Sequence, residues 1–281
     1  MVLFFFCVLV MTVVFGDRDR IVTGQGVGLV EVKGIIVDGS ETVRQLRALK
    51  KDKRVKAVVL RVDSPGGVVG PSQEISAQVK ELAKVKKVVV SMGSVAASGG
   101  YYISAPATEI FANPGTITGS IGVLMKFSNL EGLMGKIGMK AFTIKTGKFK
   151  DVGNPGRTMK PEERAMLQGV IDSTHRQFVR AVAEGRKLPV ATVAAIADGR
   201  IFSGEQALAH KLVDKLGTQQ DAIDEAARLG GISGEPELIR PPKKRTPAWD
   251  LLVEGAAGQL GLLNRGEGGM SVDYRMGGIG W

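Results

Sequence analysis

The sequence predicts an α/β fold in which helices cover a mostly parallel sheet. Three observations carry that expectation. Short β-branched runs such as 57–62 (AVVLRV) and 88–92 (VVVSM) are apolar almost throughout, the pattern of strands buried on both faces. Between them lie stretches with apolar residues at helical spacing, for example Val43, Leu46 and Leu49. The 281 residues are 44% hydrophobic and 23% charged, a composition that can bury a core.

Residues 1–16 (MVLFFFCVLVMTVVFG) carry no charged side chain. A helix of that length spans about 24 Å, short of the ~30 Å hydrocarbon core of a bilayer. The run is read as a short membrane anchor, with a cleaved signal peptide as the alternative. It has neither a basic leading flank nor an Ala-x-Ala site. Arg18 and Arg20 follow it and would favour a cytoplasmic body, so charge alone leaves the topology open.

Residues 27–37 read as a strand or hairpin bent at Gly34. A helix follows over 40–50, with Ser40 as its N-cap. Strand 57–62 ends in a DSPGG loop, helix 72–82 follows, and 88–92 is the next buried strand. A further strand is expected at 141–144. Pro161, Glu162 and Glu163 open a long helix to Arg186, with the proline and acids in its first turn where the helix dipole favours them. Shorter helical pieces are expected at 190–197, 204–211 and 220–229. After Pro241-Pro242-Lys243-Lys244-Arg245 the composition shifts to a short apolar helix, 249–263, and a glycine-rich tail expected to be mobile. The organisation is therefore an anchor over 1–20, a body over 21–240, and a basic linker, helix and tail over 241–281.

Lys and Arg number 38 against 28 acidic residues, a net charge of +10. The basic residues are spread along the chain, with no arginine-rich run interleaved with aromatics. That pattern predicts a solvated basic surface and no nucleic-acid partner. A single cysteine, Cys7, excludes an internal disulfide framework and a Cys-rich zinc module. His175 and His210 are the only histidines, which argues against a multi-histidine metal site. No metal or other cofactor is expected.

Two glycine-marked turns and one lysine carry the candidate chemistry. In 92–102 (MGSVAASGGYY) a buried strand ends in small residues, then Ser98, then Gly99-Gly100 and a helix-like stretch. This is the strand-turn-helix setting of a nucleophile elbow, which exposes a serine at a helix start. For an arbitrary Ser-Gly-Gly, a tight turn or N-cap is the plainer interpretation. The second turn, Asp63-Ser64-Pro65-Gly66-Gly67, can aim backbone N–H groups at an oxyanion. A serine nucleophile needs a base. His175 sits beside the apolar face of the long helix and His210 near a helix end, both positions suited to structural roles. Lysine is the other base used with serine, once burial leaves it neutral. The segment 146–153 (TGKFKDVG) presents Lys148 and Lys150 between two glycines, and spacing alone does not choose between them.

VDSPGG, MGSVAASGGYYIS, TGSIGV (118–123) and TGKFKDVGNPGR, in that order and spacing, resemble the signal peptide peptidase A family. These are membrane-anchored Ser/Lys proteases of Clp-protease/crotonase-like fold, a spiral of strand-strand-helix units. The resemblance runs from about residue 27 to 229 and is nearest to the short, single-domain bacterial form. It implies that Ser98 is the nucleophile, Lys150 the general base, and Ser120 the hydroxyl that orients the lysine. Gly67 and Gly99 match the backbone oxyanion donors, with Gly66 the alternative to Gly67. It also implies a homo-oligomeric ring or dome, in which Lys150 serves Ser98 of its own chain or of a neighbour. The expected substrates are remnant signal peptides, cleaved at the lipid membrane. The expected location is the bacterial inner membrane, single-pass, with the catalytic body outside the cytoplasm. Two other functions are compatible with the fold: a crotonase-type acyl-CoA enzyme, for which Asp63 is the nearby acid, and a catalytically idle membrane-anchored scaffold.

Overall fold

The computed structural model describes residues 24–241 and the backbone of a further strand, 273–275. The expected anchor and the expected helix 249–263 lie outside the described residues. Among the described residues no helix is long and apolar enough to cross a membrane.

The order of elements is β1 (Gly26–Lys33), α1 (Ser40–Lys51), β2 (Val55–Ser64), β3 (Gly66–Val68), α2 (Val69–Ala83), β4 (Lys87–Ala97) and α3 (Gly99–Ser104). Then come β5 (Glu109–Ala112), β6 (Ile117–Gly119), α4 (Glu131–Lys136), α5 (Pro161–Arg186), α6 (Val190–Ala194) and β7 (Ile201–Ser203). The remainder is α7 (Gly204–Ala209), β8 (Lys215–Leu216), α8 (Gln219–Leu229), β9 (Glu237–Ile239) and β10 (Asp273–Arg275). The main sheet runs β7-β6-β4-β2-β1-β9, with β5 on β4 and β8 on β5. All of its pairings are parallel except β6 with β7. This is the expected α/β architecture.

The central strands are largely apolar because both faces are covered. In β2, Val58, Leu60 and Val62 face a core shared with α1, α2 and α5, whereas Ala57 and Val59 face α8 through Ala222, Ile223 and Ala226. Residues two apart share a face, so one strand feeds both layers. Phe178 of α5 is fully buried and meets Tyr102 edge-on, with ring centroids 5.0 Å apart. His175 bonds the Ala197 carbonyl at 2.7 Å, and the His210 ring lies tilted against Phe202 with centroids 4.8 Å apart, so both have structural surroundings.

Four local expectations are corrected. The first strand does not turn back as a hairpin: β1 ends at Lys33, and Gly34 takes φ +70°. Ser40 is the first residue of α1 and not its N-cap; Gly39 caps it, and Asp38 accepts the Ser40 N–H at 3.0 Å. Residues 141–144 form no strand, and Phe142 and Ile144 are 89% and 96% exposed, because no sheet edge meets them. The tail supplies β10, which pairs antiparallel with β3.

Candidate active site

β4 ends at Ala97, and the chain reverses at Ser98 into α3. Ser98 takes φ +54° and ψ −116°, a conformation that L-residues rarely adopt. The surroundings hold it there: its N–H donates to Gly119 O at 2.8 Å, and its carbonyl accepts the Tyr102 N–H at 2.8 Å. Small residues permit the turn. A Cβ on Gly100 would come within 2.6 Å of the Ser64 carbonyl oxygen. Strain of this kind costs of order 1–3 kcal/mol and persists only where the rest of the fold over-determines it.

Ser98 is fully buried, not exposed as a bare elbow would suggest. Its Oγ is the one buried side-chain polar atom among the described residues that has no hydrogen-bond partner. Leaving a buried hydroxyl without a partner normally costs about 1–3 kcal/mol, so this group stands out from the other buried polar side chains of the described residues.

The second turn lies against it. Ile36 bridges β3: its N–H donates to Gly66 O at 2.9 Å, and its carbonyl accepts the Val68 N–H at 2.7 Å. Gly67 is squeezed between, and a Cβ there would lie 2.1 Å from Ile36 O. A Cβ on Gly99 would lie 3.1 Å from Gly67 N and 2.7 Å from Ser72 Oγ. The Gly67 amide and the start of α3 therefore converge beside Ser98. Gly99 is the first residue of α3, so its N–H has no intrahelical acceptor. The Gly66 N–H, by contrast, is taken by Ser64 Oγ at 3.1 Å.

Ser120 follows Gly119, the residue that holds the Ser98 amide. It too has positive φ, +49°, and its N–H donates to Arg200 O at 2.8 Å. Lys150 is exposed and does not bond Ser98 Oγ in the single chain. Its neighbour Asp151 is clamped: Arg157 Nε donates to Asp151 at 3.1 Å, and Arg157 also holds Glu163 at 2.6 and 2.8 Å. The Arg157 hydrogen bonds, joined by the Lys160 N–H, hold the Glu163 carboxyl down to about 2, and Arg157 and Lys145 lower that of Asp151. Lys148 is 61% exposed at its side chain and pairs with Glu162 at 3.3 Å.

Three supporting residues were not singled out in the sequence for these roles. Ser64 orients the glycine turn, and Ser72 Oγ donates to Val68 O at 2.9 Å behind it. Asp63 accepts the Val95 N–H at 3.1 Å, steadying β4 just before the elbow. A serine inside a Gly-Pro-rich turn is a usable signal for Ser64, whereas Ser72 is distinguished only by tertiary contact.

A model of the family described as Peptidase family S49 matches residues 80–233, and one described as Clp protease matches residues 34–116. A Synechocystis protein provisionally named a protease is 44% identical over 248 residues, covering 85% of this chain and 89% of its own. An Enterococcus faecium protein provisionally named signal peptide peptidase SppA is 40% identical, covering 69% of this chain and 60% of its own. Protease 4 of Salmonella typhi is 39% identical over 75% of this chain and 35% of its own length. The S49 match spans more than half the sequence and contains the elbow, so the chain belongs to the S49, signal peptide peptidase A, family of serine-type proteases that act on peptides.

Proposed function

We propose that the chain is a membrane-tethered serine endopeptidase with a Ser98/Lys150 dyad, acting on remnant signal peptides. One observation carries the chemistry: a buried, unpartnered Ser98 Oγ on a strained elbow, beside the convergent Gly67 and Gly99 amides. Neutral Lys150 takes the Ser98 proton as Oγ attacks the peptide carbonyl. The Gly67 and Gly99 N–H groups hold the oxyanion, and because they are fixed before the reaction they need no reorganisation. The protonated lysine then returns its proton to the leaving amine, and water hydrolyses the acyl-enzyme by the same route. Commitment of the Gly66 N–H to Ser64 favours Gly67 as the donor. Ser120 orients Lys150.

A lysine becomes an effective base only when desolvated. Lys150 is exposed in one chain, which supports its burial by, and action on, a neighbouring copy. The same segment exposes Leu133, Ile137, Met139, Phe142 and Ile144, an apolar surface suited to that contact. The tether is the uncharged run 1–16, with the catalytic body outside the cytoplasm. Against an acyl-CoA enzyme stands Asp63, whose carboxylate is engaged by the Val95 amide. A serine-directed fluorophosphonate tests the reading. It should label Ser98 in the wild-type chain and not in Ser98→Ala, and absence of labelling in an active preparation would overturn it.

A further inference from the structure

The central parallel strands start together at one end of the sheet. Gly26 of β1 lies opposite Val55 of β2, and Ala57 lies opposite Lys87, the first residue of β4. The described chain begins at this end, where the Gly26 N–H donates to Arg54 O at 3.0 Å. α1 and α2 finish here too, at Lys51 and Ala83. Within 50–56 and 81–87, the segments that lead into β2 and β4, eight side chains are basic and two, Asp52 and Glu81, are acidic. Glu237, at the start of β9, is a further acid at this end.

The fold accounts for only part of that charge. Lys86 donates to the Leu49 and Asp52 carbonyls at 2.6 Å each and so closes the end of α1. Arg54 pairs with Asp52, while Lys50 and Lys84 share Glu81. Lys51, Lys53, Lys56 and Lys87 form no ion pair among the described residues. Lys51 answers the negative end of the α1 dipole, but the other three lie off the helices, where that explanation does not reach. Val85 stands among them 61% exposed, beside a hollow of about 500 Å³ lined by Arg47, Lys50, Lys51 and Glu81. Free cations around an exposed apolar residue and a hollow suit phosphate headgroups packed side by side. We infer that this end of the sheet is the face that the body lays on an anionic bilayer. The inference builds on the tether reading of residues 1–16: the tether keeps the body near the surface, and the lysines choose which face meets it. Ser98 follows β4 at its opposite end, so the elbow and the glycine turns face away from the lipid and receive peptide from water.

Lysine reactivity in the full-length protein tests this. The chain is reconstituted into nanodiscs of phosphatidylcholine, alone or mixed with phosphatidylglycerol, and its exposed amines are acetylated and read by mass spectrometry. Lys53, Lys56 and Lys87 should react at least about threefold more slowly in the anionic discs, with Lys126 and Lys136, exposed beyond β6, equally reactive in both. Salt at about 1 M, where the screening length is ~3 Å, should remove the difference. In the triple variant Lys53→Gln, Lys56→Gln and Lys87→Gln, Lys51 should lose its protection while cleavage of a soluble peptide is unchanged. Equal wild-type reactivity in the two lipids would overturn the proposal. So would protection by added duplex DNA in place of lipid, which would make the face a nucleic-acid site. Retention by the anionic discs only, with the same lysines protected, would remove the tether reading and leave the lipid-facing surface standing.

Discussion

The Ser98 amide donates to the Gly119 carbonyl across 2.8 Å, and that single bond couples the two strained serines of the site. Ser98 at φ +54° lies on one side of it, and Ser120 at φ +49° follows Gly119 on the other. Both sit where the parallel β4–β6 pairing runs out at Ala97 and Gly119. The Ser120 amide is fixed in turn by Arg200 O, next to β7 on the far edge of β6. The position of Ser98 is thus referenced, through one backbone hydrogen bond and the Gly119–Ser120 peptide link, to the residue proposed to orient the base.

Removing the hydroxyl tests the nucleophile against the fold. Ser98→Ala should reduce peptidase activity by at least roughly 10⁴-fold, the scale seen when one member of a catalytic unit is lost. Because Oγ is buried without a partner, the melting temperature should be unchanged or slightly raised. Retained turnover by the folded variant would remove Ser98 from the reaction.

Lys150→Arg should be inactive although it keeps a cation, since guanidinium does not give up its proton in this range. Lys148→Ala should be mild, because Lys148 is solvent-exposed and pairs with Glu162. Mixing inactive Ser98→Ala and Lys150→Ala chains under exchange conditions should restore some activity if neighbouring copies share a site. An active Lys150→Arg enzyme would defeat the general-base assignment.

Gly99→Ala keeps its N–H but displaces it, and should lower kcat by up to about 10²–10³, the scale for complete loss of one oxyanion donor. The new methyl group would press on Gly67 N at 3.1 Å and Ser72 Oγ at 2.7 Å. Adding Ser72→Ala removes only the second contact, so rescue should be partial. Full activity in Gly99→Ala would mean that the two turns do not form one hole.

The Arg157 clamp has a calculable acid limit. The Glu163 carboxyl is lowered from 4.5 to about 2 by the Arg157 and Lys160 N–H donors. A carboxyl held below its unfolded value stabilises the fold above that value and loses the contribution as pH falls through the folded one. Residues 145–160 should therefore stay protected from hydrogen exchange at pH 5 and open progressively between about 4.5 and 2. Glu163→Gln should loosen the segment at neutral pH and lower activity through Lys150. Identical exchange in the variant would show that the clamp does not position this segment.

What was legible in the sequence follows from which residues carry local signals. The first part of β4 (VVVSM) is apolar and β-branched, and its strand state is plain from composition. Its extension through Gly93–Ala97 is not, because small residues have weak strand preference and are held by β2 and β6. The same logic in reverse misreads 141–144, where strand-forming residues meet no partner edge. Ser98 and the glycine turns are legible because a serine between a buried strand and Gly-Gly is a local pattern. Ser72, the Ile36 bridge and β10 depend on segments distant in sequence, and a glycine-rich tail hides a three-residue strand. Lys150 could be separated from Lys148 only by family resemblance, since both are exposed in the single chain.

β4 is forked along one edge: Val89–Ser91 pair with β5, while Val95–Ala97 pair with β6. Between them the edge is spanned by Thr116, whose Oγ1 donates to Gly93 O at 2.7 Å. Val90 of the inner prong and Ala96 of the outer one both lie in the core, and the outer prong ends at the elbow. A single strand thus joins two differently partnered regions, a foundation paired with β5 and a tip paired with β6. Sequence change on the β6 side can retune the tip while β5 and β8 keep the foundation's thermodynamic reserve. Tolerance to mutation should therefore differ sharply between two halves of one strand.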